Sequence, residues 1–281
     1  LQGLRVDQIN GGRIMKILFA TDLDNTLIYS HKKVYSDDIC VERYKNEEFS
    51  FMPKTTYHRL YAMSNQIDIM PVTTRSKEQY QRLHLPPCIE YALVANGSIR
   101  LHKKQVIRNE LIANIPENPL GTLMGILEKE KNQRNALSAR IENASFIYFT
   151  YETEQIAQQA YIEMSILYED MIVVRSGRKV YILMPWATKG NISDMREDYD
   201  CIIAAGDSPL DIPLLQQADY AIVPTLELAD ALKNAIRQDM WHGHRATRLK
   251  KPLYVHEVDN HKETFPEFIT DSVHNIVHEK L

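Results

Sequence analysis

Ile17-Leu18-Phe19-Ala20-Thr21-Asp22-Leu23-Asp24-Asn25-Thr26 is an apolar run that ends without a gap in two acids. An uninterrupted apolar stretch of strand length, rather than an alternating one, is what a parallel strand covered on both faces requires. The same pattern recurs at residues 67–72, 92–95, 201–205 and 220–223, with helix-like stretches between. Together these runs predict an α/β protein built on a doubly wound, Rossmann-like parallel sheet, whose ligands bind beyond the carboxyl ends of the strands. Chemistry is therefore to be sought in the polar residues that directly follow each run. Pro71 sits awkwardly in this scheme, because proline brings no amide donor to a strand ladder.

From about residue 111 to residue 184 the pattern changes to helix, two strands, helix, two strands. The first helix carries Leu120, Leu123, Met124 and Leu127 at the spacing of one helical face, and the second carries Ile156, Ala160, Tyr161, Met164 and Leu167. Both stripes read as the core of a smaller lobe. Residues 145–150, 171–175 and 180–184 are rich in β-branched and aromatic side chains, and Ser176-Gly177 supplies a turn between the last two. The expected organisation is a core of residues 15–110 and 185–281 with an α+β cap of residues 111–184 inserted into it. Residues 1–14, polar and carrying paired glycines ahead of Met15, read as a non-native or disordered leader and are set aside.

Composition narrows the class. Hydrophobic residues make up 44% of the 281 and charged residues 25%, with a formal net charge of -4. That balance fits an ordinary globular enzyme and gives no electrostatic reason to expect nucleic acid as a partner. No apolar run approaches the roughly 20 residues of a membrane span, so no membrane partner is expected. Cys40, Cys88 and Cys201 are odd in number and lack metal-type spacing, which reads as unpaired thiols in a reducing, cytoplasmic setting. The composition leaves the oligomeric state open.

Alone, Asp22-x-Asp24 reads equally as a turn or a solvated loop. Three further signals stand immediately beyond an apolar strand or at a strand-to-helix junction: Thr73-Thr74-Arg75, Thr188-Lys189-Gly190, and Gly206-Asp207-Ser208 with Asp211 four residues on. Taken singly, Thr73 reads as a helix cap, Lys189 as a surface lysine and Asp211 as an acid in a first helical turn. Their joint occurrence, in this order, is what a surface accident does not produce. The set resembles the four motifs of the haloacid dehalogenase superfamily, carried by Asp22-Leu23-Asp24-Asn25-Thr26, Thr73, Lys189, and Gly206-Asp207 with Asp211. The long insertion between the second and third motifs, together with Val94-Ala95-Asn96-Gly97, resembles the Cof-like subgroup, which includes sucrose-phosphate phosphatases and eukaryotic-type phosphomannomutases. Thr74 stands where many relatives have glycine, and Leu210 where the subgroup usually has asparagine.

The resemblance implies a phosphatase acting on a small phosphorylated metabolite, with sugar phosphates the nearest class. Asp22 would attack phosphorus to form an aspartyl phosphate, and Asp24 would protonate the leaving oxygen and then activate water. Mg²⁺ is the implied cofactor, because an attacking carboxylate and an anionic phosphoryl group repel each other and this ion takes hard oxygen ligands. Its implied ligands are Asp22, the backbone carbonyl of Asp24, and Asp207, with Asp211 as ligand or support. Thr73 and Lys189 would bind phosphoryl oxygens. Thr74, Arg75 and Asn96 fall on the substrate side by the same resemblance. Arg175 and Arg178, flanking the cap turn with Lys179, are candidates to read a second anionic group, and read equally as surface charge.

Two rival functions share the motifs: a phosphomutase that returns the phosphoryl group to sugar, and a catalytically silent regulator that keeps the fold. Dehalogenation fits less well, since it has no leaving oxygen for Asp24 to protonate. His242-Gly243-His244 has a metal-like look but no neighbouring acid or cysteine, and Lys103-Lys104 and Lys250-Lys251 read as solvated turns.

Overall fold

The computed structural model describes residues 9–10, 13–30, 37–107, 118–241, 253–256 and 264–281. The pairs His242/His244 and Lys250-Lys251, the cap's first boundary near Leu111, and most of the expected leader lie outside those residues. A short hairpin, β1 (Ile9–Asn10) and β2 (Arg13–Ile14), precedes the first long strand, β3 (Ile17–Thr21). Three antiparallel strands follow: β4 (Tyr29–Ser30), β5 (Ile39–Tyr44) and β6 (Glu47–Met52). Lys45 and Asn46, with φ of 52° and 68°, form the two-residue turn between β5 and β6, the left-handed geometry that matches the twist of a hairpin. Helix α1 (Lys54–Met63), strand β7 (Asp68–Pro71) and helix α2 (Lys77–Gln81) come next. Then β8 (Tyr91–Val94), β9 (Ile99–His102) and β10 (Gln105–Val106) make a second antiparallel sheet.

The inserted segment holds α3 (Pro119–Gln133), β11 (Ser138–Glu142), β12 (Phe146–Thr150), α4 (Glu154–Leu167), β13 (Ile172–Ser176) and β14 (Lys179–Leu183). Its strands form one antiparallel sheet in the order β11-β12-β14-β13, with Gly177 at φ 54° turning the last hairpin. Asn118 caps α3 by accepting the Gly121 amide, and Thr153 caps α4 by accepting that of Ile156. The inward faces are only partly those expected. Leu123, Ala160 and Met164 are buried and Leu127 and Tyr161 half-buried, but Leu120, Met124, Ile156 and Leu167 are exposed. Ile126 and Glu130 complete the inner face of α3 and Ala157 that of α4.

The chain then returns through a 3-10 segment, Lys189–Asp198, to β15 (Cys201–Ala205), α5 (Ile212–Gln216), β16 (Tyr220–Val223), α6 (Leu226–Trp241), β17 (Tyr254–Val255) and α7 (Phe265–Lys280). The central sheet is parallel, in the order β17-β16-β15-β3-β7. Ile17, Phe19, Ile69, Cys201, Ile203 and Ile222 pack with Leu60 of α1 and Ile269 and Val273 of α7. The alternate residues Leu18, Ala20, Met70, Ile202, Ala204 and Val223 pack with Leu214 of α5 and Leu228 and Leu232 of α6. Both strand faces are thus covered, which is why the sequence shows runs rather than alternation.

Two strands depart from expectation. Tyr254–Val255 extends the sheet at one edge. At the other edge the 92–95 run belongs to the β8-β9-β10 sheet and meets β7 through a single parallel bridge, Val72 to Leu93. Pro71 therefore lies on an outer strand. The Val72 amide donates to Thr21 toward β3 and the Thr73 amide to Leu93 on the other side, so the donor Pro71 lacks falls where ladder pairing has not begun.

Ile203 is 0% exposed and Ile166 of α4 is 75% exposed. Ile203→Ala should cost about 2–5 kcal/mol in urea unfolding, and Ile166→Ser should stay within about 0.5 kcal/mol of the parent. Equal costs for the two would contradict the central position of β15.

Candidate active site

β3 and β15 are neighbours in space although the chain leaves β3 for β7 first, so the strand order reverses between them. A reversal of this kind opens a crevice at the carboxyl ends of the two strands. Asp22 follows β3 and Gly206-Asp207 follow β15 at that point, tied by a 2.9 Å hydrogen bond from the Asp22 amide to the Ala205 carbonyl. Carboxylate oxygens of Asp22, Asp207 and Asp211 all lie within 4.8 Å of one another. Thr26 donates its hydroxyl to Asp22 Oδ2 at 3.1 Å, and it also lies 3.4 Å from Asp207 Oδ1.

Lys189 enters this cluster from the start of the 3-10 segment, where the Thr188 hydroxyl accepts the Gly190 amide. Its Nζ donates to Asp22 Oδ1 at 2.6 Å and to Asp211 Oδ1 at 2.5 Å, and the side chain is 1% exposed. Asp211 uses its other oxygen to accept from the Asp207 and Ser208 amides and the Ser208 hydroxyl. That curl needs Gly206, because a Cβ there would stand 2.4 Å from Asp211 Cβ.

Three carboxylates gather beside a single ammonium, which pairs with Asp22 and Asp211, and the imbalance shows in the proton affinity of Asp22 and Asp207. Burial pushes the Asp22 carboxyl up to about 7, with Lys189 pulling it down and Asp211 and Asp24 pushing it further up. Burial pushes Asp207 up to about 8, reinforced by Asp22 and Asp211. For Lys189 burial favours the neutral amine, but the adjacent Asp211 and Asp22 outweigh it and hold the ammonium protonated. Converging hard-oxygen donors with excess negative charge are what Mg²⁺ takes, so Asp22, Asp207 and Asp211 fit such an ion.

A cleft of about 560 Å³ opens above the cluster. Asp22, Asp24, Thr74, Arg75, Lys189 and Asp207 line it from the core, and Tyr29, Glu42 and Phe49 from the β4-β6-β5 sheet. The inserted lobe contributes Phe146, Tyr148, Arg178, Lys179 and Tyr181, whose rings stand close together: Tyr148 and Tyr181 are 5.5 Å apart between centroids, and Phe146 and Tyr181 6.2 Å. Lys179 Nζ lies 5.0 Å over the Tyr148 ring.

The remaining sequence candidates separate here. Thr73, Asn96 and Asp211 are buried and do not line the cleft. The Thr73 hydroxyl accepts the Arg75 amide, and Asn96 donates its side-chain amide to the Ala187 carbonyl at 2.6 Å, so both shape the walls from behind. Arg75 faces the cleft but spends its guanidinium on Asp24 and Glu42. Of the two cap arginines, Arg178 lines the cleft, whereas Arg175 turns back on the Gly177 carbonyl. Leu210 lines the cleft and joins the apolar cluster of the inserted lobe. Glu42, fully buried among Arg75, Arg82 and Ser50, escaped the sequence reading, because an acid in a short alternating strand resembles any solvent-facing one.

No protein-family model matches the chain, and no curated protein matches its sequence. Solved structures do match its fold. The C-terminal domain of the trehalose-6-phosphate phosphatase of C. albicans superposes with a TM-score of 0.55, over 94% of this chain and 93% of that one, at 11% identity. The trehalose-6-phosphate phosphatase of Aspergillus fumigatus gives 0.51 over the same shares at 12% identity. The N-terminally truncated, IMP-bound IMP-nucleotidase of Plasmodium falciparum gives 0.50, over 71% of this chain and 62% of that one, at 12% identity. At these identities the likeness is one of fold alone: a parallel, doubly wound α/β core carrying an inserted α+β lobe. Among the described residues, no helix is long and apolar enough to cross a membrane, and Cys40, Cys88 and Cys201 are unpaired.

The raised carboxyls set a pH dependence. Without metal, folded Asp22 and Asp207 keep their protons where the unfolded chain has lost them. Their stabilising effect is therefore full below pH about 4 and lost as pH rises through about 7 to 8. Mg²⁺ held by these carboxylates would favour their ionised forms, so the rise in melting temperature on adding it to chelator-treated protein should be several degrees larger at pH 8 than at pH 5.5. Calorimetry showing the same rise at both pH values would count against metal binding by these carboxylates.

Proposed function

We propose that the protein is a Mg²⁺-dependent phosphatase that hydrolyses a small phosphorylated metabolite of the sugar phosphate kind through an aspartyl phosphate on Asp22. The observation that carries this reading is the cluster of Asp22, Asp207 and Asp211 around a buried Lys189 at the reversal of strand order, opening into a cleft. Asp22 is held from both sides, Lys189 on one oxygen and Thr26 on the other, which fixes the carboxylate for in-line attack. In the first step an Asp22 oxygen bonds to phosphorus as the ester P–O bond breaks, and Asp24 gives its proton to the departing oxygen. In the second, Asp24 takes a proton from water as that water attacks phosphorus, releasing phosphate and restoring Asp22. Asp22, Asp207, Asp211 and the Asp24 carbonyl would hold the Mg²⁺, whose chemistry is to neutralise charge between the carboxylate and the phosphoryl group. Lys189 adds its charge to the same end of the site.

Residues 15–110 and 185–281 would supply this chemistry, and residues 111–184 the substrate preference. The aromatic group Phe146, Tyr148 and Tyr181 suits the apolar face of a sugar ring, with Arg178 and Lys179 beside it for hydroxyl or anionic groups. The names of the structural neighbours, two of them trehalose-6-phosphate phosphatases, favour the same substrate class.

Asp22→Asn should lower phosphate release from any ester by more than about a thousandfold while leaving the melting temperature close to the parent's, and chelator should silence the parent. Release that survives either treatment would reject the mechanism. In a metabolite screen, Arg178→Ala should raise KM for the preferred substrate by about tenfold, the loss of one charged hydrogen bond, whereas Arg175→Ala should change it less. Equal effects would show that the turn does not meet substrate as described.

A further inference from the structure

Asp24 does not hold its position alone. Arg75 grips it side-on, Nε to Oδ2 and Nη2 to Oδ1, both at 2.8 Å. The same guanidinium donates Nη1 to Glu42 Oε2 at 2.8 Å and Nη2 to Ser50 at 3.2 Å. Four of its contacts thus go to protein groups, and the side chain is 9% exposed. A carboxylate offers about four lone-pair sites and the fork occupies two of them. The rest of Asp24, whose side chain is 45% exposed, faces the cleft.

Glu42 is the fixed end of this chain. Its side chain is 0% exposed, with Oε2 accepting from Arg75 and from Ser50 at 2.7 Å and Oε1 facing Arg82 at 3.0 Å. The backbone is shaped to deliver it. Strict alternation along β5 would send Val41 and Glu42 to opposite faces, yet both are fully buried. The register of β5 against β6 slips on either side of Glu42, and such a bulge re-aims a side chain. A buried carboxylate between two guanidiniums, put there by a break in the ladder, is a device for holding Arg75 still.

We infer that Glu42, acting through Arg75, is a positioning residue for Asp24, and that Arg75 orients the proton donor rather than binding substrate. This inference rests on the phosphatase reading, with Asp24 as the acid and base. The proton Asp24 delivers matters most when the departing oxygen is basic and least when it leaves readily as a stable phenolate. Loss of its aim should therefore show as a steeper dependence of kcat/KM on leaving-group acidity, a signature that general destabilisation does not produce.

The test uses the full-length protein with Mg²⁺ and a series of aryl phosphates from p-nitrophenyl to p-methoxyphenyl. Glu42→Gln, which keeps the shape and the Ser50 contact, and Arg75→Ala should each lower the ratio of kcat/KM for the poorest over the best leaving group by about tenfold. That would approach the slope of Asp24→Asn, and Arg75→Lys should recover only part of the loss. The double variant should lose no more than Arg75→Ala alone, since both act on one chain. Melting temperatures of all variants are taken alongside. Wild-type slopes in folded Glu42→Gln and Arg75→Ala, beside a steep Asp24→Asn, would overturn this inference and leave the phosphatase reading intact. No release by the parent protein from any ester, or undiminished release by Asp22→Asn, would overturn that reading and this inference with it.

Discussion

The Lys189 ammonium is almost wholly withdrawn from water, between Asp22 and Asp211. A charge in that position is tolerated only when paired and fully hydrogen-bonded, and the surrounding structure follows from meeting that condition. Lys189 must leave β14 through a fixed path, and that path is pinned by Asn96 on the Ala187 carbonyl and by Asn191 on the carbonyls of Gly97 and Trp186. Gly97, at φ 85°, admits no Cβ because one would stand 2.2 Å from the Thr188 carbonyl oxygen. Asp211 must face inward, which requires the curl at Gly206. The single ammonium in turn leaves the cluster with an excess of negative charge, which suits it to a dication.

Much of this was legible in the sequence for a definite reason. Strands buried on both faces cannot hide, since every residue is apolar, and 201–205 and 220–223 read out to the residue. The acids and the lysine were legible because a doubly wound sheet gathers whatever follows its strands at one end. Side-chain direction was not. On α3 the apolar residues 120, 123, 124, 126 and 127 offer two overlapping stripes. The choice between them falls to the buried Glu130, which binds Tyr168 and Arg134 and draws the inward face toward Leu123 and Ile126. The 92–95 run looked like another core strand because covered strands look alike whichever sheet they join. Glu42 was invisible because a bulge is a property of two strands, and neither alone encodes it.

Thr73, Asn96 and Asp211 show a different limit. Their positions in the motifs pointed to the site, and they are at the site, but buried behind the surface that faces the cleft. A motif marks where a residue is needed without saying whether it touches the ligand or holds up something that does. In this structure Thr73 accepts the Arg75 amide and Asn96 donates to the Ala187 carbonyl, so each also braces the backbone around it.

Leu210 puts an apolar side chain of the loop after β15 into the apolar cluster of the inserted lobe, one residue from Asp211. Parting the lobe from the core would return part of that leucine, and of the rings around it, to water, at about 1–2 kcal/mol for a partly uncovered side chain. An asparagine in its place would keep its own hydration at a parted surface, so the leucine ties loop and lobe together more firmly than a polar side chain of similar size would.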